Sequence, residues 1–490
     1  MLAEIVIFAV VLGVPAAFVC GSVFFAASSA PRGRYGHMRG HHLVLGAALS
    51  AAGILVTALT AWSTHEDQHY DDFGSAMTLL AGMMGGALLI LGSGPLTPWL
   101  LGVLGRNTVR LPSAFRLAAR HMADKRARTA PAVATTMSTT AVAIAVMITS
   151  VAVAAQNRAN YQPEARYGAL VVEGFSADQA AAVRAAIQHE LSGLSGASIA
   201  QNNGQREPGY LDVGTSEYAM WMEAHIGDQA LLRYLTGDPS TPYDEGTAVV
   251  VTADDEEADS ARITYSFAGT DPSPSVKTIP AITVRPTDPR VGGVFIPAKV
   301  VQDLGFHLEP TQLIIDPSFH RTSAIEQERL DRRLGDTAVT YLERGFQAPP
   351  GWLYFVAVMV LIALAGALTT IRSAGSGRVL LRVGGGSTAT LRFFVACRAA
   401  FSAACGTATG AFAGCVIGLL LVWPMTTSID WDPAPRVPFE TPWASIAALV
   451  AGLPVLAAPI AALAGPGWLT RSDLTSTPSA SARPRSAPPT

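Results

Sequence analysis

Residues 130–155, APAVATTMSTTAVAIAVMITSVAVAA, decide the fold, and no charged side chain stands between Arg128 and Arg158. As a helix this stretch reaches across a bilayer core, which takes about 20 apolar residues for ~30 Å. In hydrocarbon only a helix or a closed barrel satisfies its own backbone. Buried helices of soluble domains rarely run so long without a charge. Six other segments read alike: 2–27, 43–62, 75–104, 351–371, 399–423 and 443–463. Together they predict seven transmembrane helices, four before and three after a polar block at 156–350. The expected fold is therefore a polytopic α-helical membrane protein with an α+β extracytoplasmic domain. The opening segment has no basic n-region and is too long for the apolar core of a signal peptide, so it too is read as a span.

Charge sets the predicted orientation. The first, third and fifth spans are followed by Arg32, Arg34 and Arg39; by Arg106, Arg110, Arg116, Arg120, Lys125, Arg126 and Arg128; and by Arg372, Arg378, Arg382 and Arg392. The tail 465–490, expected to be disordered, adds Arg471, Arg483 and Arg485. The 63–74 loop instead holds Glu66, Asp67, Asp71 and Asp72, and the loop after the sixth span has only Arg436. Basic connections stay in the cytosol. The N-terminus and 156–350 are thus expected outside and the C-terminus inside. Three Lys against 31 Arg in the chain point to a GC-rich bacterial genome, hence a bacterial plasma membrane.

The net charge of −3 hides a partition, because 156–350 holds 15 Lys and Arg against 27 Asp and Glu. So acidic a domain argues against nucleic acid and against docking on anionic lipid. Cys20, Cys397, Cys405 and Cys415 all lie in or beside spans. No disulfide can staple the outer domain, which must be held by its own core.

Within that domain 169–174 reads as a strand, followed by a helix that Ser176 opens with Gln179 as its capping-box partner. Strands are expected at 247–252, 263–266, 281–284 and 337–342, with a helix over 323–334. Their irregular interleaving predicts α+β. The acid run Asp254, Asp255, Glu256, Glu257, Asp259 has no EF-hand spacing and reads as a solvated loop.

No P-loop is present: the three lysines follow Asp124, Val276 and Ala298 rather than glycine, so phosphates have no Gly-Lys cradle. The chain is expected to be no enzyme and to hold no cofactor. His65, Glu66 and His69 fit the zincin spacing H-E-x-x-H, which places two imidazoles on one helix face beside a general base. The pattern sits in a short loop with no obvious third ligand beyond Asp71 or Asp72, so it reads as solvated and no metal is expected, a membrane metalloprotease on these residues being the third reading.

Two cytoplasmic segments carry more design. In 113–128, Phe115, Ala118, Ala119 and Met122 share one face while Arg116, Arg120 and Arg126 lie away from it. This predicts an amphipathic helix on the inner membrane surface, leading into the fourth span. The second, GRVLLRVGGGSTATLRFF at 377–394, places Gly384, Gly385 and Gly386 between two short apolar stretches. Such glycines permit a tight reversal, so a helix hairpin within 372–396 would face a cytosolic partner. A weak internal repeat aligns Gly13, Pro15 and Arg32 with Gly452, Pro454 and Arg471 at a fixed offset. The first span then reads as the last helix of an earlier repeat.

The basic elbow RLAARHMADKRARTAPAVATTMS at 116–138, the long span, the large outer domain and the three spans with a Gly-rich inner loop resemble the FtsX-like (MacB-type) permeases of bacterial ABC systems. The likeness is closest to the ten-span actinobacterial branch with two repeats, and extends to DQALLRYLTGDPS at 228–240 and TPWASIAALVAGLPVLAA at 441–458. The resemblance implies an organisation of 1–27 as a first-repeat remnant, 43–104 as a linker pair, 113–155 as elbow and span, 156–350 as outer domain, and 351–464 as three spans. It implies a separate cytosolic ABC ATPase, a second permease chain or repeat, and membrane lipid as partners. Coupling would fall to Arg378, Arg382, Arg392 and the glycines between them, and the activity would be export or extraction of a lipid, lipoprotein or peptide, or mechanical signalling. The chain departs from the family in lacking an acid at 373–377. A scaffold binding an outer partner such as a cell-wall hydrolase shares the topology.

Overall fold

The computed structural model describes residues 2–30, 40–66, 72–106, 113–191, 198–205, 209–215, 223–253, 257–267, 274–289, 291–370, 388–428 and 435–464. They form two compact units, one from Met1–Asn160 with Ala348–Thr490 and one from Tyr161–Gln347.

The first unit is helical: α1 (Leu2–Ser29), α2 (Gly40–Glu66), α3 (Asp72–Arg106), α4 (Ser113–Asp124), α5 (Arg126–Asn160), α10 (Gly351–Thr369), α11 (Thr388–Met425) and α12 (Trp443–Ala464). Among the described residues six helices, α2, α3, α5, α10, α11 and α12, are long and apolar enough to cross a membrane. In α1 the apolar stretch Ala16–Ser29 is too short for that description, and the side chains of 2–15, part of the expected first span, lie outside the described residues. The expected residues 156–160 of the outer domain belong instead to α5, which runs on to Asn160.

The stretch 130–155 is the axis of this bundle, and its small and hydroxylated residues explain how. On α11, Gly406, Gly410, Gly414 and Gly418 recur once per turn against α5. A Cβ on Gly410 would stand 2.4 Å from the Met137 carbonyl oxygen, and one on Gly414 2.6 Å from that of Ala141. Backbones this close are the usual way apolar helices associate where no hydrophobic force acts between them. The α5 hydroxyls then reach other helices: Thr136 donates to the Ala363 carbonyl on α10 at 3.1 Å, and Ser138 to Ser22 on α1 at 3.0 Å. The pair α2–α3 repeats the device, since a Cβ on Gly53 would meet the Gly85 carbonyl at 2.5 Å.

The bundle's two ends differ in charge. At one, Gln156 of α5 accepts from the Val437 amide, and Arg436 donates to the His65 carbonyl. At the other, Met122 packs with Ala26, Leu101 and Ala130. Arg106, Arg120, Lys125, Arg126, Arg128 and Arg392 belong to that second end.

The second unit has two sheets. The antiparallel one runs β10 (Val339–Leu342), β1 (Leu170–Glu173), β9 (Leu308–Ile315), β2 (Ile199–Gln205); the mixed one runs β3 (Gly209–Thr215), β6 (Ser260–Phe267), β7 (Ser275–Val284), β5 (Ala248–Val251), β8 (Gly293–Pro297), β4 (Ala224–Gly227). Helices α6 (Ala180–Glu190) and α9 (Ala324–Leu334) cover one face of the first sheet, where Leu170, Val172, Leu313 and Ile315 meet Ile187 and Leu330. The alternate residues Val171, Ala200 and Ile314 turn to α7 (Gln229–Thr236), whose far side meets Val249, Val251 and Phe295 of the second sheet. Strand side chains point to opposite faces, so β5 is apolar on both sides and contributes Ala248 and Val250 to a third cluster beside α8 (Ala298–Asp303). These are the layers of an α+β domain.

Each strand and helix expected in this unit is present within a few residues. The 323–334 helix starts as read, with Ser323 and Glu326 in a reciprocal capping box. The earlier helix starts later than expected, at Ala180. Ser176 and Gln179 form only half a box, the Gln179 amide oxygen accepting from the Ser176 amide at 3.0 Å, because 176–179 is a turn. The first and last strands, β1 and β10, lie side by side, so the unit closes on itself where the chain begins and leaves it. There the carboxylate of Glu343, 1% exposed, accepts from the Tyr161 and Tyr341 hydroxyls and from the Gly345 amide. Burial and the hydrogen bonds around Glu343 hold both phenols above their usual pKa.

Candidate functional site

The elbow begins from spacing. Ala118, Ala119 and Met122 fall on one side of α4 and all three are buried. That face is covered by other helices: Ala118 packs on Phe394 and Cys397 of α11, and Met122 joins α1, α3 and α5. Small alanines let two helices approach where a larger residue would hold them apart. The elbow is part of the bundle.

At Lys125 the chain turns once and becomes α5. The Thr129 hydroxyl secures the corner by donating to the Met122 carbonyl at 3.1 Å and the Lys125 carbonyl at 3.2 Å, which occupies acceptors a helix end otherwise leaves open. Arg126, expected on the polar face, instead folds over α3: a Cβ on Gly102 would be 3.0 Å from its guanidinium, and its Nε donates to the Ala123 carbonyl at 2.7 Å.

Behind Phe394 lies Arg398, 1% exposed and the largest fully buried side chain among the described residues. The His121 ring stands edge-on to Phe394 at 6.0 Å, and its Nε2 has no hydrogen-bond partner among the described residues. Burial first, then the positive charges of Arg398 and Lys125, holds the His121 pKa below 6.5. Lys125 is likewise lowered, by burial and then by Arg128 and Arg398. A neutral imidazole therefore sits in a pocket of positive potential, where its protonation opposes the packing.

The other predicted residues divide as follows. Arg116 is half-buried and Arg120 exposed on α4. Phe115 lies in the first turn of α4, its side chain outside the described residues, as are Arg378, Arg382, Gly384, Gly385 and Gly386. Arg392 is exposed on α11. The expected second arm of the hairpin is no separate helix: from Thr388 it is the start of α11, continuous with the span. Leu117 and Phe393, 53% and 58% exposed, border the docked pair with Arg120 and Arg392. The sequence reading missed the Ala118–Phe394–Cys397 contact and the role of His121. Their one visible signal was Arg398, a lone charge inside an apolar segment.

His65 is not in a loop but in the last turn of α2. Its ring lies 4.4 Å from that of Trp423, and the Arg436 guanidinium stands 5.1 Å over the same indole. His69 and Asp71 lie outside the described residues. Among the described residues no three His, Cys, Asp or Glu gather in a metal-binding group. No protein-family model matches the chain, and no curated protein matches it.

Proposed function

We propose that this chain is the permease subunit of an ABC-type assembly of the FtsX-like kind, moved by a separate cytosolic ATPase. The observation that carries the reading is the union of α4 with the start of α11. Two basic segments far apart in sequence, 113–128 and 388–398, are packed into one body through Ala118, Phe394 and Cys397. A push on the exposed side of that body, at Arg120, Arg392 and Phe393, would be delivered to α5 and α11, the pair whose glycines hold them in closest register. From there the polar domain, which the distribution of basic residues favours as outer, would receive the motion through the flanking α5 and α10.

In this reading the cell is bacterial, the membrane is the plasma membrane, and the cargo is a lipid, lipoprotein or peptide. The chain itself hydrolyses nothing, and a second permease chain or repeat completes the assembly.

The test is to tag the full chain in its native host, solubilise gently and identify what co-purifies, then measure ATP hydrolysis. A P-loop ATPase near one-to-one, stimulated by wild type and much less by a variant with Arg378, Arg382 and Arg392 all changed to Ala, supports the proposal. Stimulation unchanged in that folded variant removes the coupling role from these arginines. Recovery of an outer partner alone favours the scaffold.

A further inference from the structure

One cleft within Tyr161–Gln347 carries chemistry that the coupling reading does not use. It has about 530 Å³ and opens beside the edge where β1 and β10 pair, bounded by Tyr167, Pro317, Arg321, Thr322, Leu342 and Arg344 among others. Its volume falls within the range of small-molecule sites. Three arginines, Arg166, Arg321 and Arg344, converge there, in a domain whose acids outnumber its bases.

The charges do not cancel. Arg166 is neutralised by Asp316, 3.4 Å away, and also donates to the Tyr234 carbonyl at 3.1 Å. Among the described residues Arg344 donates only to a neutral group, the Gln327 amide oxygen, at 2.8 Å. Arg321 is exposed, and no carboxylate pairs with it among the described residues. The one acid lining the cleft, Glu343, has both oxygens occupied by Tyr161, Tyr341 and the Gly345 amide. The buried hydroxyl oxygen of Thr322 has no hydrogen-bond partner among the described residues, and an unmet buried hydroxyl is costly unless something else meets it. Pro317, Leu342 and the Tyr167 ring give the same cleft apolar walls.

We infer that this cleft binds a phosphate-bearing small molecule, with Arg321 and Arg344 on the phosphate oxygens, Thr322 donating to one of them, and Tyr167, Pro317 and Leu342 against its organic body. Guanidinium forks match the oxygens of a phosphate, and charge-assisted hydrogen bonds are the strong ones. The cleft exceeds one phosphate in size, so a headgroup-sized body is part of the ligand. The assignment holds whether or not the chain couples to an ATPase.

The test is equilibrium binding to the full-length chain in a phosphate-free, maltoside-type detergent. The probes are dioctanoyl-phosphatidylglycerol, glycerol 3-phosphate and inorganic phosphate. Saturable binding of either organic phosphate, weakened about tenfold by Arg321→Ala and by Arg344→Ala, is expected. Arg344→Lys should retain part of it, and the thermal midpoint of each variant should stay near wild type to exclude unfolding. Preference for the lipid over glycerol 3-phosphate identifies a lipid headgroup as source; parity identifies a soluble phosphate ester. Equal binding of inorganic phosphate alone, no saturable binding, or binding that both folded Ala variants retain overturns the inference.

Discussion

His121 shows how one residue ties the elbow to acidity. Undocked, its imidazole returns to an ordinary pKa near 6.5, whereas docked it is held lower by burial and by Arg398. Between those two values the undocked state binds more protons, so docking is at full strength above 6.5 and weakens as pH falls through the window. A spin label at Leu117, which is exposed, should therefore gain mobility as pH falls from 7.5 to 5.5. In His121→Phe that change should vanish; a wild-type spectrum flat across the range would refute the arrangement. At the opposite extreme of polarity, the buried carboxyl group of Glu343 is held by neutral donors. Tyr341→Phe removes one of them, and the urea midpoint of the Tyr161–Gln347 domain should fall by an amount equivalent to about 1–2 kcal/mol.

Among the elements, α5 and α11 depend on absent side chains. Gly410→Leu would drive a branched chain into the Met137 carbonyl, 2.4 Å from where its Cβ begins, and overpacking of this kind costs about 1–3 kcal/mol or more. Its yield and melting temperature in detergent should drop sharply. Gly452→Ala on α12 is the control, since nothing lies within 4 Å of that Cβ, and it should be neutral or slightly stabilising. The apolar segments were legible in the sequence because length and missing charge alone mark them. The glycine stripe was not: G-x-x-x-G states that something comes close and not which helix does. The elbow illustrates the same limit. Its amphipathic spacing gave the helix and its buried face, but an apolar face looks alike whether lipid or Phe394 covers it. In the polar domain, β5 and the 323–334 helix announced themselves by β-branched residues and a capping box. Strand β2 (IAQNNGQ) is too polar to alternate, and pairing across the sheet, at Asn202 and Gln312 for instance, supplies what its own sequence lacks.

At the scale of the whole molecule, two bodies with separate cores share one chain. The segment Tyr161–Gln347 owns three apolar clusters and joins its own first and last strands. Expressed alone it should be a soluble, cooperatively melting domain, and failure to fold without the spans would show that its core is not self-sufficient. The helical body, in turn, should survive replacement of 161–347 by a short flexible linker, because α5 and α10 pack directly through Thr136 and Ala363.

The pairing of β1 with β10 has a consequence for descent. A domain whose two termini leave from neighbouring strands makes only a short detour between two membrane helices, however long the excursion between them. It can be lengthened, recombined or exchanged for another of the same kind while the spans keep their contacts. Chains of this plan are free to keep one set of apolar helices and to vary the domain inserted between two of them.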